Sequence, residues 1–240
     1  MTDMNRVKRA LIVGVGDGLS AAISRKLTTA GYVPALASRN VDKLSALAAE
    51  TSASTHACDA GVPEQVERLF QELEGHLDVC VYNASARPQG AIRGPIAELA
   101  PGPVQEALAS TAYGAFLVGR AAAKRMLSQP KTDVPRGTIL FTGASAGVKG
   151  FANSAPFAMG KFAQRGLAQS MARELHPQGI HVAWINIDGQ VRMGGRIEAK
   201  ASPASMLDPE AIADAYLSLI RQHPSAWADE LTLRPWVETF

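Results

Sequence analysis

Short runs rich in Val, Ile and Leu alternate with helical patterns along this chain, and the first run breaks on glycines. RALIVGVG is followed by GLSAAISRKLTTAG, which has helical spacing and a glycine stop, and then by VPALAS. No other feature constrains the fold as strongly. A strand that is apolar throughout, rather than alternating, is one buried on both faces, and two such strands joined through a helix imply a parallel crossover. The unit recurs. VDKLSALAAE reads as the second helix, STHACD as the third strand, VPEQVERLFQELEG as the third helix and LDVCVYN as the fourth strand. After the Pro- and Gly-rich RPQGAIRGPIAELAPGP, the spacing predicts a long helix over 103–128, a strand at GTILFTG and a second long helix over 153–176. A strand at GIHVAWINI, a helix near 208–222 and a short strand in DELTLRP close the chain. The expectation is a single α/β domain over 1–240, a doubly wound parallel sheet of about seven strands with helices on both faces.

The totals agree with that size of core and exclude some partners. The chain has 240 residues, 47% of them hydrophobic, and a formal net charge of +2. So small a charge gives no electrostatic case for nucleic acid or an anionic membrane. RVKR at 6–9 reads as a solvated lead-in to the first strand. No run approaches the ~20 apolar residues of a membrane span, and the opening MTDMNRVKR lacks the apolar core of a signal peptide. A cytoplasmic protein is expected, with Cys58 and Cys80 as buried, reduced thiols.

Gly14, Gly16 and Gly18 stand between the first strand and the helix that opens at Leu19. Glycines there let the backbone turn tightly and approach a pyrophosphate, which the helix N-terminus stabilises. The second strand ends on Ser38, Arg39 and Asn40. A guanidinium and a hydroxyl at that place suit a ribose 2′-phosphate, and no carboxylate is there to repel it. This favours NADP(H) over NAD(H), although Asp17 puts a negative charge inside the glycine turn.

With these motifs in order, the chain resembles the short-chain dehydrogenase/reductase family over almost its whole length. The resemblance implies a Rossmann fold. The family's T-G-x-x-x-G-x-G falls on Val13, Gly14, Gly18 and Ser20, and its adenine-contacting Asp on Asp59. N-A-G falls on Asn83, Ala84 and Ser85. P-G-x-V falls on Asp188, Gly189, Gln190 and Val191, where Val191 would contact the nicotinamide carboxamide. The same resemblance makes Lys161 the lysine of Y-x-x-x-K, which holds the nicotinamide ribose. The family's tyrosine position, however, is Phe157. The catalytic asparagine matches Thr111, and the two serines of the strand motif match Gly143 and Ala144, with Ser145 one residue later. Enoyl reductases of the family set their tyrosine further upstream, where this chain has Ser154. By this resemblance the chain would be an atypical member that lacks the catalytic Tyr, Ser and Asn.

A reductase without that tyrosine suits a substrate that is already electron-poor, because a protonated imine accepts hydride and leaves as a neutral amine. Asp188, in place of a proline, could stabilise such a cation, with Lys161, Ser145 and Phe157 around the reacting atoms. An ordinary carbonyl reductase would instead need a replacement acid, from Ser145, Tyr113 or water. A nucleotide-binding sensor without turnover is the third reading. The substrate is expected to be a small molecule, with residues 191–206 as a mobile lid and Arg87, Lys149 and Arg192 available to an acidic group. The Ala-rich helices at 103–128 and 153–176 are, by resemblance, a subunit-packing pair, so a homodimer or homotetramer is expected.

Overall fold

The computed structural model describes residues 6–85, 92–130, 135–192 and 205–237. Nine strands and seven α-helices alternate among these residues. The strands are β1 (Lys8–Val13), β2 (Tyr32–Ser38), β3 (Ser54–Ala57), β4 (Val79–Tyr82), β5 (Gly137–Thr142), β6 (Ile180–Ile187), β7 (Gln190–Val191), β8 (Met206–Leu207) and β9 (Glu230–Leu233). The helices are α1 (Leu19–Thr29), α2 (Ser45–Thr51), α3 (Pro63–Glu72), α4 (Pro101–Leu108), α5 (Gly114–Ser128), α6 (Ala155–Leu175) and α7 (Pro209–Ile220).

Seven strands form one sheet in the order β3-β2-β1-β4-β5-β6-β9, and every pairing is parallel. The expected doubly wound architecture is therefore present. Its strands are apolar throughout because both faces are covered. Leu11, Val13, Phe141 and Trp184 point toward α3, α5 and α6, whereas Ile12, Val81, Leu140 and Ile185 point toward α1 and α7. The strand order reverses between β1 and β4, and a crevice must open there at the carboxyl ends of the strands.

The long helix expected over 103–128 starts at Pro101 and is interrupted. Residues Ala109–Tyr113 form a π turn between α4 and α5. The buried Tyr82 hydroxyl donates to the Ser110 carbonyl within it. Such turns locally widen a helix and re-aim its side chains. Here the turn directs Thr111 inward against α6, where a Cβ on Gly160 would come within 3.0 Å of it.

Trp184 shapes the loop after β5. It is fully buried on β6, and a Cβ on Gly143 would collide with its indole. One on Gly147 would come within 2.5 Å of the same ring. Arg165 lies over the indole at 5.2 Å and pairs with Glu230 at 2.7 Å, which ties α6 to the edge strand β9. Cys58 and Cys80 are both buried and free, and burial raises their thiols to about 11 and about 12 respectively. No helix among the described residues is long and apolar enough to cross a membrane.

Candidate active site

The crevice at the switch point begins with Gly14. Its φ is +87°, and a side chain there would collide with Ala84 at the end of β4. Only a glycine lets the two chain segments approach this closely. A chain of hydrogen bonds then joins them: Asn83 Nδ2 donates to Ser20 Oγ at 2.5 Å, and Ser20 Oγ donates to the Gly14 carbonyl at 3.1 Å. The Asn83 amide reaches the Val13 carbonyl at 2.8 Å. The residues of the glycine motif and of Asn83–Ser85 thus form one wall.

Two adjoining cavities share that wall. The larger, about 790 Å³, runs from Gly14, Gly16, Asp17, Gly18 and Leu19 to Ser145, Phe157 and Lys161, and on to Gly189 and Val191. The smaller, about 200 Å³, holds Ser38, Arg39 and Asp59 beside Ala84 and Ser85. Arg39 is exposed at its rim and has no side-chain partner among the described residues. Asp59 accepts from the Gly61 amide at 2.9 Å, which fixes its carboxylate in that small cavity.

Two sequence expectations need correction. Asn40 lines neither cavity: its side chain accepts from the Asp42 amide at 3.0 Å and caps a local turn instead. Asp188 does not face the larger cavity as an open carboxylate. Arg234, which follows β9, pairs with it at 2.5 Å. Burial opposes its ionisation, but the Ser145 bond and the Arg234 charge outweigh this and hold its carboxyl below the usual range.

Lys161 is buried on α6. Its ammonium donates to the Thr142 carbonyl at 2.6 Å and, more weakly, to Gln164 Oε1 at 3.4 Å. No carboxylate lies within ion-pair distance among the described residues. Thr142 is held from behind, its hydroxyl 2.7 Å from that of Tyr216 on α7. Phe157, one turn earlier, lines the same cavity. Tyr113 turns away, exposed and stacked on Phe116 with ring centroids 6.2 Å apart. Of the remaining expectations, Lys149 sits over the Phe151 ring at 5.6 Å and Arg192 pairs with Asp208. Arg6 of the lead-in pairs with Asp78 rather than only meeting solvent. Val191 is anchored by the parallel pairing of β7 with β8. Arg87 and residues 193–204 of the expected lid lie outside the described residues.

A family model described as short chain dehydrogenase matches residues 8–191, from the start of β1 through β7. The chain belongs to that family. A short-chain dehydrogenase from Rhodopseudomonas palustris is 31% identical, with a TM-score of 0.80 over 96% of this chain and 100% of its own. A metagenomic short-chain oxidoreductase in complex with NADP is 27% identical, with a TM-score of 0.80 over 96% of this chain and 98% of its own. A short-chain dehydrogenase/reductase of Armillaria gallica is 29% identical over 75% of this chain and 70% of its own length. The short-chain dehydrogenase frame, an oxidoreductase frame, therefore carries the cleft described above.

The ionisation of Lys161 is the main electrostatic consequence of its burial. Desolvation pushes its ammonium from the ordinary 10.5 down to about 7. Between those values the unfolded chain binds a proton that the folded one lacks, so stability should rise with pH across the interval. The gain is at most about 1.4 kcal/mol per pH unit. Urea denaturation at pH 7 and pH 9 should show this rise in the free protein, and Lys161→Met should abolish it. An equal rise in the variant would assign the effect elsewhere.

Proposed function

We propose that this chain is an NADP(H)-dependent reductase that delivers hydride to an activated C=N group, or to a comparably electron-poor C=O, without a tyrosine acid. One observation carries this reading: the ring of Phe157, one helical turn before Lys161, lines the cleft where a proton donor would be needed. A ketone oxygen needs a donor, whereas an iminium N–H is one. Phe157 supplies no proton, and Tyr113 faces outward.

The residues fit a dinucleotide. Gly14 leaves open the space that a Cβ would fill against Ala84, and an ammonium has three donors, of which Lys161 uses two on protein acceptors. The third would hold the nicotinamide ribose. Ser38 and Arg39 would hold a 2′-phosphate, Asp59 the adenine, and Gly189 with Val191 the carboxamide. The dinucleotide, when bound, supplies the hydride. Arg234 keeps the Asp188 carboxylate ionised at the turn before Gly189.

The test is a paired turnover screen with NADPH. Cyclic imines should be reduced and simple ketones only slowly. Phe157→Tyr should raise ketone turnover about 10²-fold, the lower end of what a positioned general acid contributes. Absence of imine turnover in the wild type, with no gain in the variant, would favour a non-catalytic NADP(H) sensor.

The cofactor preference has its own check. Bonds to charged groups are worth about 1.5–3 kcal/mol, so Arg39→Ala should weaken NADPH binding about tenfold or more by calorimetry and leave NADH nearly unchanged. Equal losses for both would remove the 2′-phosphate role. Exposed Tyr113, Phe116, Met159 and Phe162, on and beside α5 and α6, support a second copy of this chain on that face. Light scattering should give the mass of a dimer or tetramer, and Phe162→Asp should lower it.

A further inference from the structure

A second constellation lies at the other end of the sheet. Ser54 and His56 are two residues apart on β3, so their side chains share one face of that edge strand. Ser54 Oγ is 3.0 Å from His56 Nε2, and His56 Nδ1 is 3.1 Å from Glu72 Oε2, at the end of α3. Nucleophile, base and orienting carboxylate stand at hydrogen-bonding distances in series, the arrangement that activates a serine hydroxyl. Glu72 accepts from the Nδ1 proton, which leaves Nε2 free to take the serine's proton.

The surroundings are those of a pocket. A cavity of about 390 Å³ joins Ser54, His56 and Glu72 to Arg9 and to apolar walls from Leu11, Pro34 and Leu77. That volume is within the range of small-molecule sites, toward its lower end. Ser54 is exposed to it, whereas the His56 side chain is only 12% exposed. Arg9 lines the same cavity, and its guanidinium has no side-chain partner among the described residues. Arg125 builds the site from below. It donates to the Leu73 carbonyl at 3.0 Å and the Gly75 carbonyl at 2.6 Å, fixing the turn just after Glu72.

We propose that Ser54, His56 and Glu72 form an acyl-transfer site for small carboxylic esters, independent of the dinucleotide cleft. Ser54 Oγ bonds to the ester carbonyl carbon as its proton passes to His56 Nε2, and Arg9 offers charge to the carbonyl oxygen. The ester C–O bond breaks, and the departing alcohol takes the proton from His56. Water then attacks the acyl-serine through the same base, regenerating Ser54 and releasing the carboxylic acid. Ester and water become acid and alcohol, with no other reactant.

The probe is p-nitrophenyl acetate on the full-length protein, with no dinucleotide added. Wild type should release p-nitrophenol above the uncatalysed rate, and peptide mass spectrometry of a quenched sample should find acetyl on Ser54. Ser54→Ala and His56→Ala should each lose about 10²-fold of the enzymatic rate, the lower end of general-base catalysis. Glu72→Gln should lose less, because His56 remains. NADPH binding should be unchanged in all three, which also shows that they are folded. Acetyl found only on lysines, or a Ser54→Ala protein as fast as wild type, would overturn the proposal whatever becomes of the reductase reading.

Discussion

The backbone approach of Gly14 to Ala84 sets the position of everything else in the cleft. β1 and β4 are neighbours in the sheet, but the chain leaves them toward opposite faces. Their carboxyl ends meet with no side chain between them, because residue 14 has a positive φ and no Cβ. Ser20 and Asn83 lock that meeting with two hydrogen bonds. The floor so formed is continuous from the glycine turn to Lys161, which is why one cavity can hold both. A methyl group at residue 14 would separate the strands at the switch-point crevice.

A second constraint shapes the loop after β5. Trp184 takes up the volume beneath that loop, so residue 143 must be glycine and its hydroxyl-bearing alternative has no room. Ser145, two residues further along the same loop, lines the cleft.

The sheet and helices were legible because burial on both faces writes itself as unbroken apolar runs, and the glycine turn because its spacing is local. What escaped detection depends on long-range contact. Arg234 meets Asp188 across 46 residues, and no pattern around Asp188 announces the partner that neutralises it. The π turn at Ala109–Tyr113 sits inside an otherwise regular helical repeat, so the periodicity gives no hint that the register slips there. Asn40 reads as a ligand contact when only its place after β2 is known, yet a short polar side chain two residues before an amide more readily caps its own turn. Ser54 and His56 are adjacent enough to notice. Glu72 completes them only because α3 folds back along β3.

The paired charge at Asp188 changes how a cation could be recognised. An open carboxylate would attract any positive substrate, whereas one held by Arg234 contributes little net field. Lys161 brings its own charge to the cleft lining. That charge is not fixed, because burial alone brings the lysine close to half-ionised at neutral pH. An anionic ligand beside it favours the charged form, and an empty or apolar cleft favours the neutral one. An anionic ligand would thus give the lysine its full charge, so its burial need not be offset by a permanent protein counter-ion.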